Sequence, residues 1–332
     1  MIIIEFFRIK AKIKLIYIFI FIFGTYLGCD SSIGPGAHTF NPGPILFHSS
    51  KDGVNNLYSM NDDGTDVKQL TRFDLSASRA IWSPDGERIA FTRSLTKDDF
   101  DFVHGIFIMN ADGTGLKQVT FPPIGYFRNA GDGCITWSPD SKKIAFCRAR
   151  IPEVLGQVDN YVINLESGEI EQITGIVDLP HARDGAIWVM EWIEEDVFLV
   201  LFINKETTKG NLGYLDIKNN IIQPITHPDE AIQSHALSPD GKKIAYTKRM
   251  ELYIMDSDGT NSVKLIEREE RKIFFPRVWS PENDRILLAR KESPGAATEL
   301  MFMYSLYDSS LVDITPSDFR GSRFRVTSWK RR

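Results

Sequence analysis

Trp82-Ser-Pro-Asp-Gly-Glu-Arg-Ile-Ala-Phe91 decides the fold, because the chain writes it more than once. It returns as Trp137-Ser-Pro-Asp-Ser-Lys-Lys-Ile-Ala-Phe146 and as Leu237-Ser-Pro-Asp-Gly-Lys-Lys-Ile-Ala-Tyr246. A looser copy is Trp279-Ser-Pro-Glu-Asn-Asp-Arg-Ile-Leu-Leu288. Repetition at roughly 40–50 residues marks stacked supersecondary units, none of which can bury its apolar face alone. A β-rich unit of that length is the size of one propeller blade.

Each copy has a second half. An apolar run leads into an Asp-Gly-Thr turn at Leu57–Thr65, Ile106–Thr114 and Leu252–Thr260. A short strand follows and ends in threonine, as in Gln69-Leu-Thr71, Gln118-Val-Thr120 and Gln172-Ile-Thr174. The unit therefore reads as a four-stranded antiparallel meander. Turn chemistry agrees. Pro84 presets φ for a type I turn, Ser83 can bond the backbone from the first position, and Gly86 tolerates positive φ. Asp63-Gly64, Asp112-Gly113 and Asp258-Gly259 are hairpin turns by the same logic. The intervening runs are short and rich in Ile, Phe, Tyr and Val, as strands are. No segment after residue 44 carries a helical apolar period, so helix should be scarce.

The tryptophan position sets the blade count. It is filled at Trp82, Trp137, Trp192, Leu237, Trp279 and Trp329. Trp192 lacks the Ser-Pro-Asp turn and is read as a degenerate unit. Ile45–His48, Leu57–Met60 and Val67–Leu70 are three strands with no tryptophan strand before them. Phe324–Trp329 is a tryptophan strand with nothing after it. Three strands and one make a blade, so the last strand should pair with the first three. The expected fold is all-β, a six-bladed β-propeller of four-stranded antiparallel blades. Closure of the ring leaves only short, protected sheet edges.

The Trp-Ser-Pro-Asp-Gly and Asp-Gly-Thr repeats resemble those of TolB-like β-propellers, over about residues 44–332. That family's namesake carries an α/β domain before its ring. Here the ring is expected to begin shortly after Cys29, without that domain. The resemblance implies protein partners in the cell envelope.

Residues 1–28 read as a lipoprotein-type signal peptide. Arg8, Lys10, Lys12 and Lys14 precede the apolar run Leu15–Phe23, which is short for a membrane span of about 20 residues. Thr25-Tyr-Leu-Gly-Cys29 resembles a bacterial lipoprotein processing site, which would make Cys29 the lipid-bearing residue. The alternative is an uncleaved anchor or a simple secretion signal. Residues 29–43, rich in Ser, Gly and Pro, would be a flexible tether, and 44–332 the propeller. Either way the ring is expected outside the cytoplasm, in a bacterial cell envelope. The formal charge is −5 and becomes more acidic once the four leader cations go, which argues against nucleic acid as a partner. A monomeric ring is expected. Cys134 and Cys147 flank one hairpin, so a disulfide is geometrically possible; two buried thiols are the other reading.

No catalytic constellation is legible. The chain has no Gly-x-Ser-x-Gly elbow, no phosphate-binding glycine loop, no His-Glu-x-x-His and no Cys-x-x-Cys, the usual carriers of such chemistry. No cofactor and no metal set is implied. The six histidines are scattered, and the Asp-Gly-Thr turns lack the twelfth-position acid of a calcium loop. The residues singled out lie just upstream of the tryptophan strands, in loops expected to open on the channel: Arg79, Asp132, His181, Arg183, Asp184, His235, Arg277 and Arg325. Guanidinium pairs bidentately with carboxylate, so this mouth could bind a carboxylate or an acidic peptide. The ordinary alternative is loop solvation and ion pairs between blades. Two function classes follow. One is a lipid-anchored binding module for an envelope protein or peptide. The other is a metal-assisted polysaccharide lyase or hydrolase at the channel, with His181, His235 and Gln233 as partial ligands.

Overall fold

A computed structural model describes residues 43–96, 103–122, 131–149, 158–174, 182–267, 272–292 and 298–331. Strands β1 (Ile45–Ser49), β2 (Asn56–Met60) and β3 (Lys68–Gln69) come first. The next blade is β4 (Ala77–Trp82), β5 (Arg88–Ser94), β6 (His104–Asn110) and β7 (Lys117–Gln118). Then follow β8 (Asp132–Trp137), β9 (Lys143–Ala149), β10 (Val158–Asn164) and β11 (Ile170–Gln172). The degenerate unit is a full blade: β12 (Ala182–Glu194), β13 (Val197–Asn204), β14 (Gly210–Asp216) and β15 (Ile221–Pro224). The fifth is β16 (Ile232–Leu237), β17 (Lys243–Lys248), β18 (Glu251–Asp256) and β19 (Val263–Ile266). The sixth is β20 (Ile273–Trp279), β21 (Arg285–Lys291), β22 (Leu300–Ser305) and β23 (Leu311–Asp313). Finally β24 (Phe324–Trp329) joins the first blade, giving the order β24-β1-β2-β3. All six sheets have four strands, and one 3-10 turn at Ser317–Phe319 is the only helical element among the described residues. The expected ring closure is thus observed, with Ile45 opposite Trp329 and Lys330 N–H donating to the Pro44 carbonyl at 2.8 Å.

The repeated turn is built around its serine. Ser83 is buried; its hydroxyl accepts from Arg88 N–H at 2.9 Å and donates to the Asp85 carboxylate at 2.5 Å. Ser138 makes the same contacts with Lys143 and Asp140. A buried hydroxyl satisfied on both sides fixes the turn without leaving an unpaired polar group. The turn's left-handed position is Gly86 or Gly241 in two blades, but Ser141 and Asn283 in two others. Those two side chains reach the preceding blade. Ser141 Oγ accepts from Asp85 N–H at 3.1 Å, and Asn283 Oδ1 from Asp240 N–H at 3.2 Å. A bond between blades offsets the cost of left-handed backbone at a residue with a Cβ.

Five of the six outer strands run into a threonine, and it has the same job in each. Its hydroxyl accepts a backbone N–H from the third strand: Thr71 from Leu57, Thr120 from Ile106, Thr174 from Asn160, Thr226 from Leu212 and Thr315 from Met301, at 2.8–3.0 Å. The tryptophans join blades. The indole N–H of Trp82 donates to the Pro44 carbonyl, Trp137 to Ile81 and Trp279 to Ala236. Each apolar cluster mixes side chains of adjoining sheets, as Leu46 and Leu57 do with Trp82, Phe91 and Phe107. Burying such a side chain stabilises by roughly 1.5–3 kcal/mol, so the core holds the blades to one another.

Candidate functional site at the channel mouth

The six innermost strands β4, β8, β12, β16, β20 and β24 all line a central cavity of about 260 Å³. Every one of them carries a register shift against its neighbour. A bulge adds one residue, bends the strand and re-aims a side chain, and bulges gather beside functional sites. In β4 and β8 the shift spans Arg79 and Cys134, whose φ values are 55° and 48°. Left-handed backbone at a residue with a Cβ persists where its surroundings hold it in place.

The bulges bring guanidiniums together. Arg79 and Arg325 both act electrostatically on His48 and Cys134, and Arg277 acts on His48 and Arg325. Arg277 Nη2 is held by both Glu299 oxygens at 2.8 Å, and that pair is nearly enclosed. Arg79 and Arg325 pair with no carboxylate among the described residues. Arg79 Nη1 donates only to Cys134 Sγ, at 3.7 Å. Three guanidiniums therefore share one acid, Glu299, which Lys291 also approaches at 3.9 Å. Burial pulls the Arg325 guanidinium down to about 10, helped by repulsion from Arg277 and Arg79. His48 lies opposite Arg325 across the closing strand pair. Burial, then Arg325, Arg79 and Arg277, drive its imidazole down to about 3. It is neutral, and its Nδ1 accepts from Arg79 N–H at 3.4 Å. Arg79 and Arg325 are exposed, and of the cluster only Arg277 lines the cavity; grouped guanidiniums without acids give this end a positive field that attracts anions.

The residues singled out from the sequence sort into groups. Arg79, Arg277 and Arg325 converge. Asp132 does not join them: its enclosed carboxylate is taken bidentately by Arg148, at 2.6 and 3.0 Å. His235 stands apart, lowered to about 4 by burial alone. Arg183 and Asp184 lie in β12, but their side chains are outside the described residues, as are His181 and Cys29. The expectation that these residues sit in loops is corrected. Arg79, Asp132, Arg183, Asp184, His235, Arg277 and Arg325 are all in the innermost strands. The bulges let those strands continue upstream of the tryptophan, beyond where the repeat stops. Among the described residues no three His, Cys, Asp or Glu side chains gather as a metal set would. Cys134 and Cys147 are both thiols here.

Sequence reasoning missed His48, Glu299 and Glu191. His48 and Glu299 reach the site through pairings distant in the chain. Glu191 was findable: it precedes the tryptophan where the other blades place Ile81, Thr136, Ala236, Val278 and Ser328. It lines the cavity with Arg331, and burial raises its carboxyl.

Comparison with known proteins agrees with the ring. TolB from Acinetobacter baumannii superposes with a TM-score of 0.66 and 17% identity, over 90% of this chain and 68% of that one. The fold is that of a TolB-type six-bladed β-propeller. The propeller domain of the trilobed protease from Pyrococcus furiosus follows this TolB-type ring at a TM-score of 0.52 and 14% identity, over 83% of this chain and 97% of that one; its structure is described as an open velcro topology. Residues 199–279 match the dipeptidyl peptidase IV N-terminal region. A protein of Sulfurisphaera tokodaii described as a Tricorn-like protease C-terminal subunit is 25% identical over 258 residues. That match covers 72% of this chain, which spans about a quarter (26%) of the relative's length.

Proposed function

We propose that this TolB-type ring is a binding module that docks a carboxylate-rich protein or peptide segment at its channel mouth. The observation that carries the reading is the convergence of Arg79 and Arg325, without acidic partners, beside the Arg277–Glu299 pair. Arg79 and Arg325 are exposed and so open to a ligand, and guanidinium takes carboxylate in bidentate, charge-assisted pairs. The leader sequence supports an extracytoplasmic position, with a lipid on Cys29 holding the ring to the membrane. TolB and peptidase propellers share this architecture, and architecture alone does not choose between binder and enzyme.

The test is fluorescence anisotropy with a labelled peptide rich in Asp and Glu. Wild type is compared with an Arg79→Gln, Arg325→Gln double variant at low and high salt. The expected outcome is at least tenfold weaker binding by the variant, at an unchanged melting temperature, and a loss of wild-type affinity as salt rises. Equal affinity of both proteins would remove these residues from the site.

A further inference from the structure

The mouth contains a group that anion binding does not use. Cys134 occupies the β8 bulge at φ 48° and is partly exposed. Cys147, buried on β9, lies opposite Gly133, the residue before Cys134, so the two thiols are neighbours on one bulged hairpin. Gly133 leaves the space open: a Cβ there would lie 3.2 Å from Arg79 Nη1 and 3.7 Å from Cys147 Sγ. The surroundings of Cys134 thus hold a second thiol on β9, Arg79 on β4 and Arg325 on β24, with Asp132 near Cys147 on β8. The neighbouring Cys147 thiol, then Arg79 and Arg325, overcome burial and bring the Cys134 thiol down to about 7. Cys147 is pushed up by its neighbour Cys134 and by burial. A partly exposed thiol beside cations with a second thiol at hand is the arrangement of a redox-reactive cysteine.

We propose that Cys134 and Cys147 form a redox-active dithiol at the channel mouth, with Cys134 the attacking thiolate and Cys147 the resolving thiol, acting on small disulfides that carry carboxylates. In the first step Cys134 Sγ attacks one sulfur of RS–SR. A mixed disulfide forms, and RS⁻ leaves and is protonated by solvent. In the second step Cys147 gives up its proton to solvent and attacks Cys134 Sγ. The intramolecular disulfide forms, and the second RS⁻ leaves and is protonated in turn. Two protein thiols are oxidised and one disulfide is reduced to two thiols, through the mixed intermediate usual for exchange. The dithiol chemistry stands on the two cysteines and Arg79. The carboxylate preference rests on the anion-binding reading of the mouth given above.

The experiment treats the reduced full chain with glutathione disulfide, which bears carboxylates, and with cystamine, which is cationic. Mass spectrometry of tryptic peptides keeps Cys29 separate. Wild type is expected to lose two hydrogens between Cys134 and Cys147, and Cys147→Ser to accumulate glutathione on Cys134. Glutathione disulfide should react about tenfold faster than cystamine at low salt. Iodoacetamide labelling of wild type against pH should reach half its maximal rate at Cys134 near pH 7, while Cys147 stays unlabelled. Arg79→Gln should move that midpoint toward the ordinary thiol range of about 8.5. The proposal is overturned if Cys134 labels no faster than Cys147, or if Cys147→Ser gathers no mixed disulfide. Equal rates for the two disulfides would uphold the dithiol and remove the carboxylate preference.

Discussion

The two ends of the channel are made by the same six strands and follow opposite rules. At the far end four of the six strands, β4, β8, β16 and β20, run into a turn that repeats: Ser-Pro, with a buried serine and a left-handed fourth residue. Pro84, Pro139, Pro239 and Pro281 line the cavity there at equivalent points. At the mouth no such pattern repeats. Arg79, Cys134, His235, Arg277 and Arg325 stand two to four residues before the tryptophan position and are three guanidiniums, a thiol and an imidazole. The far end carries what every blade needs in order to stand beside its neighbours. The mouth carries what the ring as a whole offers once it stands. Substitutions at the far end should therefore cost stability, and substitutions at the mouth should change ligand, thiol or proton behaviour.

The largest expected effect is at the far face. Gly259 has φ +89°, and a Cβ there would come within 2.1 Å of the Ile225 carbonyl oxygen of the preceding blade. Gly64 stands at the same distance class from Ile314, 2.2 Å. Gly259→Ala must move a backbone and hold a strained φ together, at about 3–5 kcal/mol. Thermal unfolding should show a fall of many degrees with the mouth's peptide affinity unchanged below the transition. A stable variant would mean that the turns at this end are less exacting than their repetition implies.

The next effect belongs to the mouth. His48 is neutral when folded, with its pKa near 3 against 6.5 for a free imidazole. Unfolded chains bind the proton below about pH 6.5 and folded ones do not, so stability is intact above that value and falls as pH drops toward 3. Each unit of difference contributes about 1.4 kcal/mol. His48→Asn should flatten the acid limb of a denaturation series between these limits, leaving the share due to His235. An unchanged limb would take His48 out of the acid response.

The smallest effect lies between the two ends. Burial raises the Glu191 carboxyl, with Arg331 opposing. A raised acid favours the folded state at low pH, and its penalty is present above the folded pKa. Glu191→Gln should stabilise the ring by about 1 kcal/mol at neutral pH and by nothing near pH 4. Chemical denaturation at the two pH values separates them. Destabilisation at neutral pH would show that Arg331 depends on the carboxylate.

This contrast also explains what the sequence made legible. Repeated local chemistry is visible in a chain, so the turns, the strand order and the closing strand could be read from Trp82-Ser-Pro-Asp and its copies. The guanidiniums could be found because they stand two to four residues before a tryptophan strand's end. Their setting could not. The bulges that carry Arg79 and Arg277 inside strands leave no composition signal. His48 meets Arg325 only through ring closure, and Glu299 meets Arg277 across one sheet. Glu191 was visible as a break in the repeat, which is where single-residue function should be sought in chains of this kind.

Ring closure has a consequence for how the protein is made. The Thr327 hydroxyl bonds the Leu46 carbonyl across 281 residues of chain. A ribosome delivers β1 long before β24, so the first blade waits until the other five have been made. Throughout that interval β1 presents an unpaired edge of Ile, Leu and Phe, the kind of edge that recruits other chains. Pairings so distant in sequence also form slowly. The time from first strand to last is therefore when this chain most needs a chaperone, and the Ile45–Ser49 segment is what a chaperone would hold.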